Sequence, residues 1–487
     1  MSAQPYPRVA SLKTAQALRA HLLRHDIPLH LDDQRAAPGE SPLAQPIDVD
    51  GVRVGNRFCI LPMEGWDGTR DGEPSDLTRR RWRNFGISGA KLMWGGEAVA
   101  VRAEARANPN QLLLTKRTQP AIAALREELV AAHRERFGAN ADADMYVGLQ
   151  LTHSGRFARP DVWDRPAPLA ACHHPVLDRR FAAGVRVLRD EEIDRLVDDF
   201  VEAARLAEGA GFRFIDIKQC HGYFGHELLG ARTRPGRYGG PLENRTRFLR
   251  QVIEAVRSSV PGLTMVVRLS VFDTVPYRKD ATGAGVAEQS EDARSVGFGL
   301  LDGDVAGGTT PESDMDAALG DARAVLEMLQ TLGIRWICTT AGSPYYNPHV
   351  QRPAIFPPLD GYDPPEDPLR GVWRHIEATA MLKRDFPNLI FVGSAYSYLQ
   401  EWLPHVGQHN VREGLCDFVG LGRIALSYPE LPADVLSGAP LKRALFCRTF
   451  SDCTTGPRMG LVSGCYPLDK FYSARPEAIQ IRNERIK

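Results

Sequence analysis

Eight short apolar runs, each followed by a longer helical or polar stretch, constrain this chain more than any other feature. They are RFCILP (57–62), KLMW (91–94), MYVGLQL (145–151), FRFIDIK (from Phe212), LTMVVRLS (263–270), RWICTT (335–340), LIFVG (389–393) and DFVGLG (417–422). Strands buried on both faces of a parallel sheet read as nearly continuous apolar runs, and alternation with helices is the βαβα signature of such a sheet. Eight is the number that closes an α/β barrel. Two intervening segments are plainly helical. DEEIDRLVDDFVEAARLAEG opens with acids suited to a helix N-terminus and repeats Ile193, Leu196, Val197, Phe200 and Val201 at 3.6-type spacing; ENRTRFLRQVIEAVRSSV does the same with Phe248, Leu249, Val252, Ile253 and Val256.

The predicted fold is therefore a (β/α)8 TIM barrel over residues 46–440. An N-terminal helical arm and linker (1–45) precede it, and an extension (441–487) follows. A doubly wound sheet shares the alternation, but no G-x-G-x-x-G opens a helix after a first strand. Two connections, Phe272 to about Asp314 and Ala341 to about Leu369, are far longer than usual. Both follow strands, so both belong at the C-terminal face, where barrel active sites are built.

Sixty basic residues balance sixty acidic ones, so no global field favours nucleic acid or an anionic membrane surface. A small-molecule substrate is the expected partner. No apolar stretch of about 18 residues and no export-type h-region occurs, so a cytoplasmic location is expected. Cys59, Cys172, Cys220, Cys338 and Cys416 are scattered without pair spacing, as reduced thiols are.

Polar residues gather just beyond several strands. In Ile215–Arg245, Lys218, His221 and Tyr223 follow the fourth run. His221 and Tyr223 are candidates to hydrogen-bond a substrate carbonyl, and Tyr223 can also deliver a proton. Lys218 suits an anion or, with a depressed pKa, an imine; its plainer role is a salt bridge. Gln150 in LQLTHSGR could read a heterocycle edge or be satisfied by barrel backbone. Arg268 sits in an apolar strand, where a charge needs an anion, an electron-rich ring or a structural ion pair. Gly393 and Gly422, at the ends of the last two strands, allow backbone approach to a phosphate, and Arg423 adds a charge contact.

These motifs, HGY (221–223), RYGGPLENR (237–245), QLTHSGR (150–156), RLS (268–270) and DFVGLGR (417–423), together resemble the old yellow enzyme family of FMN-dependent ene reductases, in the family's order, from about residue 45 to 440. NRFCILPME (56–64) is similar to its first strand and GGEAV, near Glu97, to its second. The resemblance implies that Pro62, Met63, Glu64, Ala98, Gln150 and Arg268 face the flavin, and that Gly393, Ser394, Gly422 and Arg423 hold the FMN phosphate. It implies NAD(P)H as electron donor and a homo-oligomer. In the family's active-site trio, His221 and Tyr223 occupy their usual places, but Lys218 replaces the first histidine and Glu64 stands where Thr or Cys is usual. A lysine cation there favours a carboxylate, an enolate or a polarised thioester oxygen.

The segment from Phe446 resembles the cluster-binding stretch of the 2,4-dienoyl-CoA reductase branch. Only Cys447, Cys453 and Cys465 are present, with Phe450 near the place of another ligand, so a [4Fe-4S] cluster is not expected, nor any other metal. With the chain ending at Lys487, that branch's C-terminal FAD- and nucleotide-binding domains are not expected either, and the tail is read as a cover for the barrel or a neighbouring subunit. The expected activity is hydride transfer from NAD(P)H through FMN to an activated alkene. Two rivals stand beside it: an FMN enzyme acting oxidatively as a dehydrogenase or demethylase, and a flavin-free lyase using a Lys218 imine.

Overall fold

A computed structural model describes residues 6–288, 295–301 and 312–486. All eight apolar runs form strands: Phe58–Ile60 (β1), Leu92–Met93 (β2), Tyr146–Thr152 (β3), Phe214–Ile217 (β4), Thr264–Phe272 (β5), Trp336–Ala341 (β6), Ile390–Gly393 (β7) and Phe418–Leu421 (β8). Every neighbouring pair is parallel, and β8 returns to β1 through Val419↔Phe58 and Leu421↔Ile60, so the sheet is a closed (β/α)8 barrel. Beyond Gly95 and Gly96, Ala98–Ala100 continues the line of β2 and pairs with β3, Ala98 opposite Gln150.

The barrel interior is a packed core. Cys59, Leu92, Trp94, Tyr146, Phe214, Val266, Trp336, Val392 and Phe418 form one buried cluster, which Val49 and Val54 of the hairpin Ile47–Val49/Val52–Val54 close at the N-terminal end of the strands. The same segments that read as helices wrap the outside. In chain order the arm helix Ala15–Arg24 (α1) is followed by Asp76–Gly86 (α2), Gln119–Phe137 (α3), Asp190–Gly209 (α4), Arg247–Ser259 (α5), Gly320–Thr331 (α6), Pro368–Asp385 (α7) and Leu403–Arg412 (α8). The apolar stripes named above for α4 and α5 are the residues these helices bury. Of the long connection expected between β5 and α6, residues 289–294 and 302–311 lie outside the described residues.

The arm shares the main core. Leu18 and Leu22 are buried in it, His21 Nε2 lies 2.6 Å from Asp367 Oδ2 at the start of α7, and Trp402 Nε1 donates to Leu12 O at 2.9 Å. The stretch expected as a linker is itself anchored, because Arg412 of α8 grips Asp32 through both nitrogens at 2.6 and 2.7 Å. At the other end, the tail helix Asp452–Arg458 (α9) and the residues after it pack on the C-terminal face: Trp66 N donates to Ser463 Oγ at 3.0 Å, and Arg80 holds Asp469 bidentately at 2.8 and 3.0 Å. No described helix is long and apolar enough to cross a membrane.

One buried clamp fixes the loops after β1 and β2 against each other. Arg81 of α2 donates to both carboxylate oxygens of Asp67 at 2.8 and 2.9 Å and to Glu97 at 2.5 Å, while Glu97 accepts the Gly65 N–H at 2.7 Å. Burial raises the Glu97 carboxyl to about 7 against the pull of Arg81. Removing the guanidinium leaves two carboxylates buried without their counter-charge, so Arg81→Met is expected to cost about 3–5 kcal/mol of unfolding free energy in a urea titration. A loss below about 1 kcal/mol would show that the clamp contributes little.

Candidate active site

The C-terminal ends of the strands surround a cavity of about 680 Å³, within the range of roughly 300–1,000 Å³ usual for small-molecule sites. Its floor is organised by Asp216 on β4, a fully buried acid in an otherwise apolar strand. Three N–H groups from three segments converge on it: Trp94 Nε1 at 2.9 Å and Gln150 Nε2 at 2.5 Å on one oxygen, the Arg268 backbone N–H at 2.7 Å on the other. Gln150 thereby spends one of its two amide N–H groups on Asp216; the other N–H and the carbonyl oxygen remain. Burial raises the Asp216 carboxyl to about 6, opposed by these donors.

Arg268 projects into the same space from β5. Its guanidinium has one long contact, Nη1 to Pro62 O at 3.5 Å, and its buried Nε has no hydrogen-bond partner among the described residues. A buried cation left this incomplete is costly unless something electronegative meets it. Pro62, Met63, Glu64 and Gln150 line the cavity with it. Ala98 does not; it is buried behind Gln150, with its carbonyl taken by Gln111 Nε2 at 2.8 Å.

Beyond β7 and β8, Ser394, Gly422 and Arg423 line the cavity while Gly393 lies just behind them. These strands approach so closely that a Cβ on Gly420 would stand 2.3 Å from Gly393 O. Ser394 Oγ donates to Thr339 O at 2.5 Å. Arg423 Nη2 donates to Pro353 O at 2.8 Å, and its buried Nη1 has no partner among the described residues.

Lys218, His221 and Tyr223 meet in the cavity as well. The backbone turns sharply after β4, with His221 at φ 68° in the left-handed region, a strained conformation for a non-glycine residue that clusters at functional sites. Gly222 follows at φ +76°, where a Cβ would come 2.7 Å from the Tyr346 ring. Lys218 Nζ sits 3.9 Å from the centroid of the Tyr223 ring. Burial pushes the Lys218 ammonium below its usual range, with Arg268 adding to the effect and Glu64 opposing it. Burial, Arg268 and Lys218 together hold the His221 imidazole far below its ordinary value, so it is neutral. His221 Nε2 lies 3.3 Å from the Thr340 hydroxyl and 3.4 Å from the Gln351 amide nitrogen.

Tyr223 is the hub of a hydroxyl chain. Its OH donates to Glu64 Oε2 at 2.8 Å and lies 2.9 Å from the Tyr345 OH, and Tyr345 in turn stacks on Phe157 with ring centroids 4.1 Å apart. Enclosure raises the Glu64 carboxyl, while Lys218 and the Tyr223 hydroxyl hold it down. Sequence reasoning passed over Asp216 and Tyr345. Asp216 carries the signal that singled out Arg268, a charge inside an apolar strand; Tyr345 lies in the long connection after β6, flagged only by its length.

The sequence matches the NADH:flavin oxidoreductase / NADH oxidase family over residues 42–303, more than half of the chain. It is 27% identical over 259 residues to the NADH:flavin oxidoreductase FG08077 of Gibberella zeae, covering 49% of this chain and 59% of that protein's length. An NADPH dehydrogenase of Geobacillus sp. is 30% identical over 260 residues, covering 51% of this chain and 71% of that one. The fold is similar to that of the old yellow enzyme homologue from Zymomonas mobilis, with a TM-score of 0.56, 20% identity, and coverage of 85% of this chain and 98% of the other.

The raised Asp216 value makes a pH-dependent contribution to stability. In the unfolded chain this carboxyl ionises near its ordinary value of 3.8, and in the folded protein near 6, so its contribution is present at low pH and is lost as pH rises through that window. Asp216→Asn removes the titration. The stability of the unsubstituted protein relative to this variant, from urea unfolding, is expected to fall between about pH 4 and pH 6; a difference independent of pH would overturn the reading.

Proposed function

Because the chain belongs to the NADH:flavin oxidoreductase / NADH oxidase family, the old yellow enzyme family its motifs resemble, we propose that this enzyme uses FMN and NAD(P)H to reduce an activated alkene conjugated to a carbonyl, acid or thioester. The observation that carries the reading is the pair of guanidiniums, Arg268 and Arg423, each with a buried nitrogen that has no hydrogen-bond partner, lining one cavity with no carboxylate on either among the described residues. They fit the two anionic parts of the cofactor, its ring edge and its phosphate. Pro62, Met63 and the Gln150 carbonyl would border the ring; Ser394, Gly422 and Arg423 would take the phosphate, with Ala98 and Gly393 supporting from behind. When bound, FMN would supply the hydride, taking it from the nicotinamide and passing it to the β-carbon of the alkene.

The protein's own groups do the rest. Lys218 and an imidazole N–H of His221 would hold the substrate carbonyl oxygen, where negative charge develops, and a desolvated donor set stabilises that charge more than water does. Tyr223 would give its hydroxyl proton to the α-carbon. Glu64, which accepts that hydroxyl's hydrogen bond at 2.8 Å, would hold the tyrosine in position and give up the bond as the proton moves, with solvent resupplying the proton. The buried, depressed Lys218 also favours one rival, an imine-forming lyase, which trapping with borohydride and a carbonyl compound would reveal as a covalent adduct.

The purified protein is expected to show oxidised-flavin absorption and to release FMN on denaturation; a colourless protein that cannot be reconstituted with FMN would sink the proposal. Tyr223→Phe is expected to slow flavin reoxidation by an enone by about 10²–10⁴-fold while NAD(P)H still reduces the flavin at the original rate. Stopped-flow absorbance resolves the two half-reactions. Unchanged reoxidation would remove Tyr223 from the proton-donor role.

A further inference from the structure

The cavity holds more positive charge than the cofactor accounts for. Of its arginines, Arg80 is neutralised by Asp469, Arg81 by Asp67 and Glu97, and Arg180 by Glu288. Arg268, Arg423, Arg352 and Arg159 line the same cavity with no ion pair among the described residues.

Four of the cavity's arginines form a continuous wall. Arg423 donates to Pro353 O, next in sequence to Arg352. Arg352 donates to Thr454 Oγ1 and, at 3.4 Å, to Ser451 Oγ, both at the N-terminal end of α9. The last residue of α9 is Arg458, whose Nη2 donates at 3.3 Å to Pro344 O, beside Tyr345. Arg159 follows Phe157, the residue stacked on Tyr345, by two positions. Burial lowers Arg352 to about 10, with repulsion from Arg423 adding to the effect and Cys453 and Cys447 opposing it.

One phosphate at the ends of β7 and β8 would satisfy Arg423 and its neighbour Arg352. Arg159 and Arg458 remain. The buried Nε of Arg159 and the buried Nη1 of Arg458 have no partner among the described residues. Arg458 has one carboxylate, Asp360 at 2.8 Å, whose side chain is 60% exposed and hence well screened. Both arginines flank Tyr345, whose hydroxyl touches the proton-donor Tyr223 at 2.9 Å. Resting on the reductase reading for the position of the reacting alkene, we infer that the substrate carries an anionic group, a carboxylate or a phosphate, remote from its double bond, and that Arg159 and Arg458 hold it. This gives the tail a function: it supplies the second arginine of the anion site.

Two pairs of unsaturated probes separate the sources of the charge. 4-Carboxybenzylideneacetone is compared with its methyl ester, and cinnamoyl-CoA with the cinnamoyl thioester of N-acetylcysteamine, which lacks the phosphates. Dissociation constants come from isothermal titration calorimetry on the protein as purified, with flavin content read separately by absorbance. The charged member of at least one pair is expected to bind about 10–100-fold more tightly, the worth of one charge-assisted pair. The responding pair identifies carboxylate or phosphate. Arg159→Gln and Arg458→Gln are each expected to reduce that ratio and the double variant to bring it to about one, while Arg458→Lys, which retains the charge, keeps part of it. Equal affinity within both pairs, or a ratio untouched by the double variant, overturns the inference. Absence of flavin would instead count against the reductase reading, and the calorimetric ratio would still decide the anion site.

Discussion

Three N–H groups that meet on one buried carboxylate set the geometry of everything above them. Asp216 receives Trp94, Gln150 and the Arg268 backbone, and so ties β3, β4 and β5 to the residue that follows β2. Both oxygens are occupied by neutral donors. The Arg268 guanidinium, close enough to feel Asp216, is therefore left with only a distant backbone carbonyl and remains available to a ligand. A floor built this way is stiff, because each donor would lose a buried partner if it rotated away.

On this floor the charged groups separate by task. Tyr223 touches Lys218, Glu64 and Tyr345, so a hydroxyl and a carboxyl whose preferences burial has moved stand side by side. The guanidiniums, which cannot give up a proton, are the groups left for binding. Lys218 stands where the family places a histidine, and burial against the Tyr223 face weakens its hold on the ammonium proton.

The barrel was legible because its strands are buried on both faces and so carry an unbroken apolar signal; all eight fall within one or two residues of where the runs predict them. That Lys218, His221, Tyr223, Gln150 and Arg268 line the cavity was legible for a related reason, since polar residues in or just beyond a barrel strand collect at its C-terminal face. Ala98 and Gly393 share that strand-end position yet sit behind the lining, a distinction made by side-chain direction that spacing alone does not encode. Tyr345, Arg352, Arg159 and Arg458 were not legible. They come from loops and a tail, and their meeting depends on chain paths that return across as many as 114 residues, as in the bond from Arg458 to Pro344.

The tail's position couples two events that look separate. Residues from Cys453 to Tyr472 form part of the wall around the ligand space, so docking of the tail and occupancy of the cavity share one free energy. Any molecule that touches both tail and barrel must hold them together in proportion to its own affinity, by RT ln(1 + [L]/Kd). Reciprocally, a substitution that loosens the docking of the tail, even one far from the cavity, weakens by the same linkage the affinity of any ligand that needs the tail in place.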